Sequence, residues 1–141
     1  MSGFLLDTNC ISELVRSDPE PRVLQWIDAA DESLLYFSVL TLGEIRKGIP
    51  GLPASRRRTR LETWLELELG ARFAGRILSI DREIADRWGI IAAAAKRAGR
   101  SLSAVDGLLA ATALHHNLTI VSRNTADFAS TQVPVLNPWE A

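Results

Sequence analysis

Residues 101–122, SLSAVDGLLAATALHHNLTIVS, carry the pattern that decides the fold. Ser103 with an acid three residues later, Asp106, makes a capping-box-like helix start, and the turns that follow are almost wholly apolar. A helix of that kind is buried rather than laid on a surface. His115 and His116 close it, cations there suiting the C-terminal dipole, and LTIVS at 118–122 reads as a strand.

Working outward, strand and helix signals alternate over the rest of the chain. GFLLD at 3–7 is a short apolar run, followed by a helical stretch over about 9–16. Asp18-Pro19 starts a second helix carrying Val23, Leu24, Trp26 and Ile27. LLYFS at 34–38 reads as a second strand, with Ser38 placed to cap a helix that bears Leu40, Glu44 and Ile45 and stops near Gly48. Ser55 begins a long charged helix with Leu61, Trp64, Leu65 and Leu69 inward, and RILSI at 76–80 is a third strand. Asp81 caps a helix running to Gly99, and VPVLNP at 133–138 offers a terminal edge strand containing Pro134. Strands separated by helices predict a parallel sheet of four to five strands with helices on both faces, a three-layer α/β/α arrangement. Sites in such sheets lie beyond the carboxyl ends of the strands.

At 141 residues, 47% apolar and 23% charged, the chain is sized for one core, and residues 1–141 are expected to form a single domain. The single cysteine, Cys10, excludes an internal disulfide and a Cys-rich zinc site. No apolar run approaches the length of a membrane span and no leader pattern precedes Asp7, so the cytoplasm is the expected compartment. Net charge is −1, which gives no global pull toward nucleic acid. Fourteen of the 16 cationic residues are Arg, however, and Arg56, Arg57, Arg58 and Arg60 crowd into RRRTR. Any RNA contact is expected to be local, along these four.

Four acids fall near strand ends. Asp7 closes the first strand, Glu44 follows the second by one or two helical turns, Asp106 starts the buried helix and Asp127 follows the fourth strand. Each alone has a plain structural explanation: Asp7 as a turn or cap residue, Asp106 as a helix-start acid, Glu44 as a solvated helix-face residue. Together they repel unless protons or cations neutralise them, and an all-oxygen donor set suits Mg2+ or Mn2+ rather than zinc. Metal-assisted phosphodiester hydrolysis is the chemistry such a set serves, giving a 5′-phosphate and a 3′-hydroxyl.

LLDTNCISEL, LTLGEIRKGI, SAVDGLLAATALHHNLTIVSRNTADF and VLNPW, in this order, resemble a PIN-domain ribonuclease of the VapC type, in its FitB-like branch. The resemblance implies the toxin of a type II toxin–antitoxin pair, with a PIN-like α/β/α fold and an acidic pocket for Mg2+ or Mn2+. It implies Asp7 and Asp106 as principal metal ligands and Glu44 as the third carboxylate, with Thr8 or Asn9 orienting Asp7 and nearby water. In FitB-like members the fourth acid tends to follow the Arg of the TR turn, where this chain has Asn124. Asp127 is favoured as the fourth acid, with Asn124 a neutral supporting residue. The implied partners are RNA, a second copy of the chain, and a DNA-binding antitoxin of the VapB or FitA kind through which operator DNA is reached. The competing readings are a non-catalytic PIN-like binding module and a phospho-acceptor domain using Asp7. The second is disfavoured because Asn9 stands where a dehalogenase-like site needs a second Asp.

Overall fold

The computed structural model describes residues 2–140, so the two terminal residues of the expected 1–141 domain lie outside the described residues. Strands β1 (Phe4–Leu6), β2 (Leu35–Ser38), β3 (Ile77–Leu78), β4 (Thr119–Val121) and β5 (Val135–Leu136) form one sheet in the order β3-β2-β1-β4-β5. Every pairing is parallel, with Leu5 registered between Tyr36 and Ile120. The chain builds the sheet from β1 toward β3, then returns to add β4 and β5 on the other side. The order therefore reverses between β1 and β4, the crevice where ligands bind in open α/β sheets.

Side chains alternate across the sheet with period two. Leu6, Leu35, Phe37 and Val121 face one core with Cys10, Ile11, Val23, Ile27, Leu69 and Phe73. Leu5 and Ile120 face the other, against Leu109, Ala110 and Ala113. On the first side lie α1 (Thr8–Glu13), α2 (Pro21–Ala29) and the helical stretch after residue 55. On the second lies α7 (Ala104–His115), the buried helix expected from the sequence, with α6 (Arg82–Arg97) packed on it. Gly107 permits that packing, since a Cβ there would come within 2.8 Å of the Trp88 ring.

The expected caps are in place. Ser38 accepts the Leu40 N–H at the start of α3 (Val39–Gly48), Asp81 the Ile84 N–H of α6, and Ser103 the Asp106 N–H of α7. Gly99, at φ +69°, follows the C-terminus of α6. Several boundaries differ from the expectation. The first helix ends at Glu13 rather than near Arg16, and the second begins at Pro21 rather than at Asp18-Pro19. The reason is Glu13, buried at the close of α1: its carboxylate accepts the Arg16 guanidinium at 2.8 Å and the Glu20 N–H at 2.9 Å, fixing the turn between the helices. Pro21 then supplies a first helical residue that needs no N–H partner.

The expected long helix is α4 (Arg56–Thr63), a π-helical segment (Trp64–Glu68) and α5 (Leu69–Arg72) in succession. Its inward residues Leu61, Leu65, Leu69 and Phe73 recur every four positions, which drifts round a 3.6-residue helix. The wider i→i+5 turn offsets that drift and keeps Leu65, Leu69 and Phe73 all buried. The third and fifth strands are only two residues each. Pro134 lies just before edge strand β5, where its carbonyl accepts the Ile120 N–H at 2.9 Å. Trp139 is buried against the first core, while Trp26, Trp64 and Trp88 are half-buried. No helix among the described residues is long and apolar enough to cross a membrane.

Candidate active site

Asp7 and Ser122 stand at the ends of β1 and β4, on either side of the reversal point. Asp7 extends the sheet and caps α1: its backbone N–H continues the ladder to the Val121 carbonyl at 2.9 Å, and its Oδ1 accepts the Thr8 N–H at 2.7 Å. Its Oδ2 accepts the Ser122 hydroxyl at 2.7 Å. Ser122 is fully buried and saturated, since its oxygen also accepts the Asn9 side-chain amide at 3.3 Å and the Asn124 backbone N–H at 3.0 Å. Sequence reading passed over Ser122. Its only signal was position, at the end of the strand beside the one carrying Asp7.

Thr8 binds a second carboxylate. Its hydroxyl donates to Glu44 Oε1 at 2.5 Å and lies 3.1 Å from the hydroxyl of buried Thr41 on α3. Thus one residue, Thr8, touches both Asp7 and Glu44. Asp106 enters from the first turn of α7, and Asp127 from the short 3-10 turn Thr125–Phe128 that follows β4.

The four acids form one electrostatic group. Burial pushes the Asp7 carboxyl above its ordinary value; the Ser122 and Thr8 hydrogen bonds pull it back in part, and the charges of Asp106 and Glu44 push it up further. Asp106 is likewise raised, first by desolvation and then by Asp127 and Glu44, with Ser103 opposing. Among the described residues none of the four is in a salt bridge, although acids elsewhere pair freely with arginines, as Glu32 does with Arg72 and Arg76.

Asp7 is buried, Asp106 half-buried, and Glu44 and Asp127 exposed; like charges gathered round a buried carboxyl with no cationic side chain are what a divalent ion neutralises, and the donor set is all oxygen. Among the described residues no three or more His, Cys, Asp or Glu side chains are gathered closely enough to hold a metal ion by themselves. The buried Oδ1 of Asn9 has no hydrogen-bond partner among the described residues, an acceptor beside the Asp7–Ser122 pair that a water or hydroxyl can satisfy.

The remaining candidates are placed as follows. Asn124 joins the Asp7 network through its backbone N–H, and its residue surface is exposed. Arg57 reaches the Val15 carbonyl just beyond α1 at 3.5 Å, and Arg58 is held by Glu62 and the Leu52 carbonyl. Arg56 and Arg60 are exposed. None of the four arginines pairs with a site acid. Cys10 is buried, its thiol pushed up to about 12 by burial and by the charges of Asp7 and Glu13, which removes it from nucleophilic chemistry.

The PIN domain family matches residues 4–133 of this chain. VapC ribonuclease Y4jK of Sinorhizobium fredii is 39% identical over 97% of this chain and 98% of its own length. Toxin FitB of Neisseria gonorrhoeae is 40% identical over 96% of this chain and 98% of its own. The solved structure of FitAB bound to an IR36 DNA fragment contains a chain that superposes with a TM-score of 0.90 at 38% identity, covering 96% of this chain and 95% of that one.

Proposed function

This chain belongs to the PIN-domain family, and from that membership we propose that it is a Mg2+- or Mn2+-dependent endoribonuclease, the toxin of a VapBC-type toxin–antitoxin pair. The observation that carries the reading is Asp7: a buried carboxyl at the sheet's reversal point, raised by burial and by neighbouring acids. Residues 1–141 are taken as a single PIN domain.

Asp7 and Asp106 would hold the cation, with Glu44 and Asp127 completing the acidic rim and Asn124 in support. The ion supplies Lewis acidity toward a phosphate and lowers the pKa of water. Ser122 holds Asp7 in one rotamer, and Thr8 fixes the separation of Asp7 from Glu44. Asn9 offers its free Oδ1 to orient water or a ribose hydroxyl. Arg56, Arg57, Arg58 and Arg60 begin α4, and Arg57 touches the Val15 carbonyl just beyond the far end of α1, on the order of 10 Å from Asp7 by helix rise. That is a distance at which they engage backbone phosphates flanking the cleaved bond.

The similarity to Toxin FitB and to a FitAB complex on DNA supports a DNA-binding antitoxin as partner, with operator DNA reached only through it. A second copy of the chain is a further partner under this reading, which also puts the protein in the cytoplasm. The test is incubation of purified protein with structured RNA in Mg2+, Mn2+ or EDTA. Cleavage with either ion, none in EDTA, and products bearing 5′-phosphates support the reading. Cleavage that persists in EDTA, or RNA binding without cleavage, overturns it; the latter is the mark of a non-catalytic PIN-like module.

A further inference from the structure

We propose that Thr41 is a positioning residue that sets Glu44 through Thr8, an inference that rests on the nuclease reading above. Thr41 is fully buried in the first turn of α3, three residues before Glu44 and so on the same helix face. Proton accounting orders the contacts. A carboxylate only accepts, so the 2.5 Å contact between Thr8 and Glu44 uses the single hydroxyl proton of Thr8. The proton between the two threonine oxygens, 3.1 Å apart, therefore comes from Thr41. The result is a directed chain, Thr41 to Thr8 to Glu44.

Other helical threonines of this protein behave differently. Thr112 donates to the Leu108 carbonyl at 2.7 Å and Thr59 to the Ser55 carbonyl at 3.2 Å, the ordinary back-bond of a helical hydroxyl. Thr41 instead gives its proton across to α1. Its receiver is the residue whose backbone N–H holds Asp7 Oδ1, so one buried hydroxyl on α3 fixes the Thr8 rotor that holds Glu44 beside the Asp7 cap. A cation that demands near-ideal octahedral geometry is sensitive to that relation.

The test compares Thr41→Val, which keeps shape and removes the hydroxyl, with Thr41→Ser, which keeps the hydroxyl and loses a methyl. The full chain is titrated with Mn2+ by calorimetry without RNA, and melting without cation and RNA cleavage are measured in parallel. Thr41→Val is expected to bind Mn2+ about three- to tenfold more weakly and to cleave correspondingly less, while Thr41→Ser stays within about twofold of wild type. Wild-type Mn2+ affinity in Thr41→Val, whatever its melting temperature, overturns the inference, as does equal loss in Thr41→Ser. If Thr41→Val does not fold, Thr41→Ala takes its place against Thr41→Ser with the same criteria. A wild-type chain that binds no Mn2+ defeats the nuclease reading itself, and this inference with it.

Discussion

Asp7 does two jobs with two oxygens. Oδ1 caps α1 and Oδ2 is pinned by Ser122, so the carboxylate is oriented before any ligand arrives. Removing the pin with Ser122→Ala should lower Mn2+ affinity and RNA cleavage by about ten- to hundredfold, as loss of a supporting hydrogen bond does at other metal sites. Leaving Asn9 and the Asn124 N–H without their acceptor adds a stability cost visible in the melting temperature. Asp106, like Asp7, is raised by desolvation and by neighbouring acids, here Asp127 and Glu44. Its folded-state pKa lies above the unfolded value of 3.8, so the folded form holds the proton more tightly. Ionisation then costs stability at neutral pH, and the cost disappears as pH falls through the folded value toward 3.8. Asp106→Asn should therefore abolish cleavage while leaving the cation-free protein at least as stable as wild type at neutral pH. Thermal melts across pH check this, and a clear loss of stability in the variant would contradict it. Protons also compete with the ion, so Mn2+ binding should weaken as pH falls, with a midpoint above 3.8.

At the scale of elements, α7 is placed by contact rather than by amphipathic pattern. Its first turn carries Asp106 to the site, and the next residue, Gly107, lies against Trp88 of α6. Gly107→Ala forces a Cβ to within 2.8 Å of that ring and should cost about 1–3 kcal/mol in denaturant unfolding, despite alanine's better helix propensity. Equal or greater stability of the variant would show that Trp88 gives way freely. The helix itself was plain in the sequence because AVDGLLAATAL is apolar on all sides with a serine cap before it. The limits of α1 and α2 were not, because they are set by a buried Glu13 holding the Glu20 N–H seven residues away. The π-helical turn was equally hidden: a four-residue repeat of Leu and Phe reads as an ordinary helix until its face must meet one core.

For the whole molecule, the legible part was the layer order and the strand ends. Four acids at or within two helical turns of strand ends, or at a helix start, were visible in the sequence, and the reversal between β1 and β4 explains why these adjacent strands deliver Asp7 and Ser122 side by side. Ser122, Thr41 and the Thr8 link to Glu44 were not legible, since each depends on contacts between residues 33 to 115 positions apart. Those contacts are the difference between a set of acids and a site. Asp7 is proposed to anchor a divalent-ion site that cleaves RNA. That role is tested most directly by parallel RNA-cleavage assays of wild type and Asp7→Asn in Mg2+, with folding of both verified by circular dichroism. Wild-type cleavage with 5′-phosphate ends, abolished by EDTA, and a folded but inactive Asp7→Asn are the expected results. Cleavage by Asp7→Asn at the wild-type rate would contradict it.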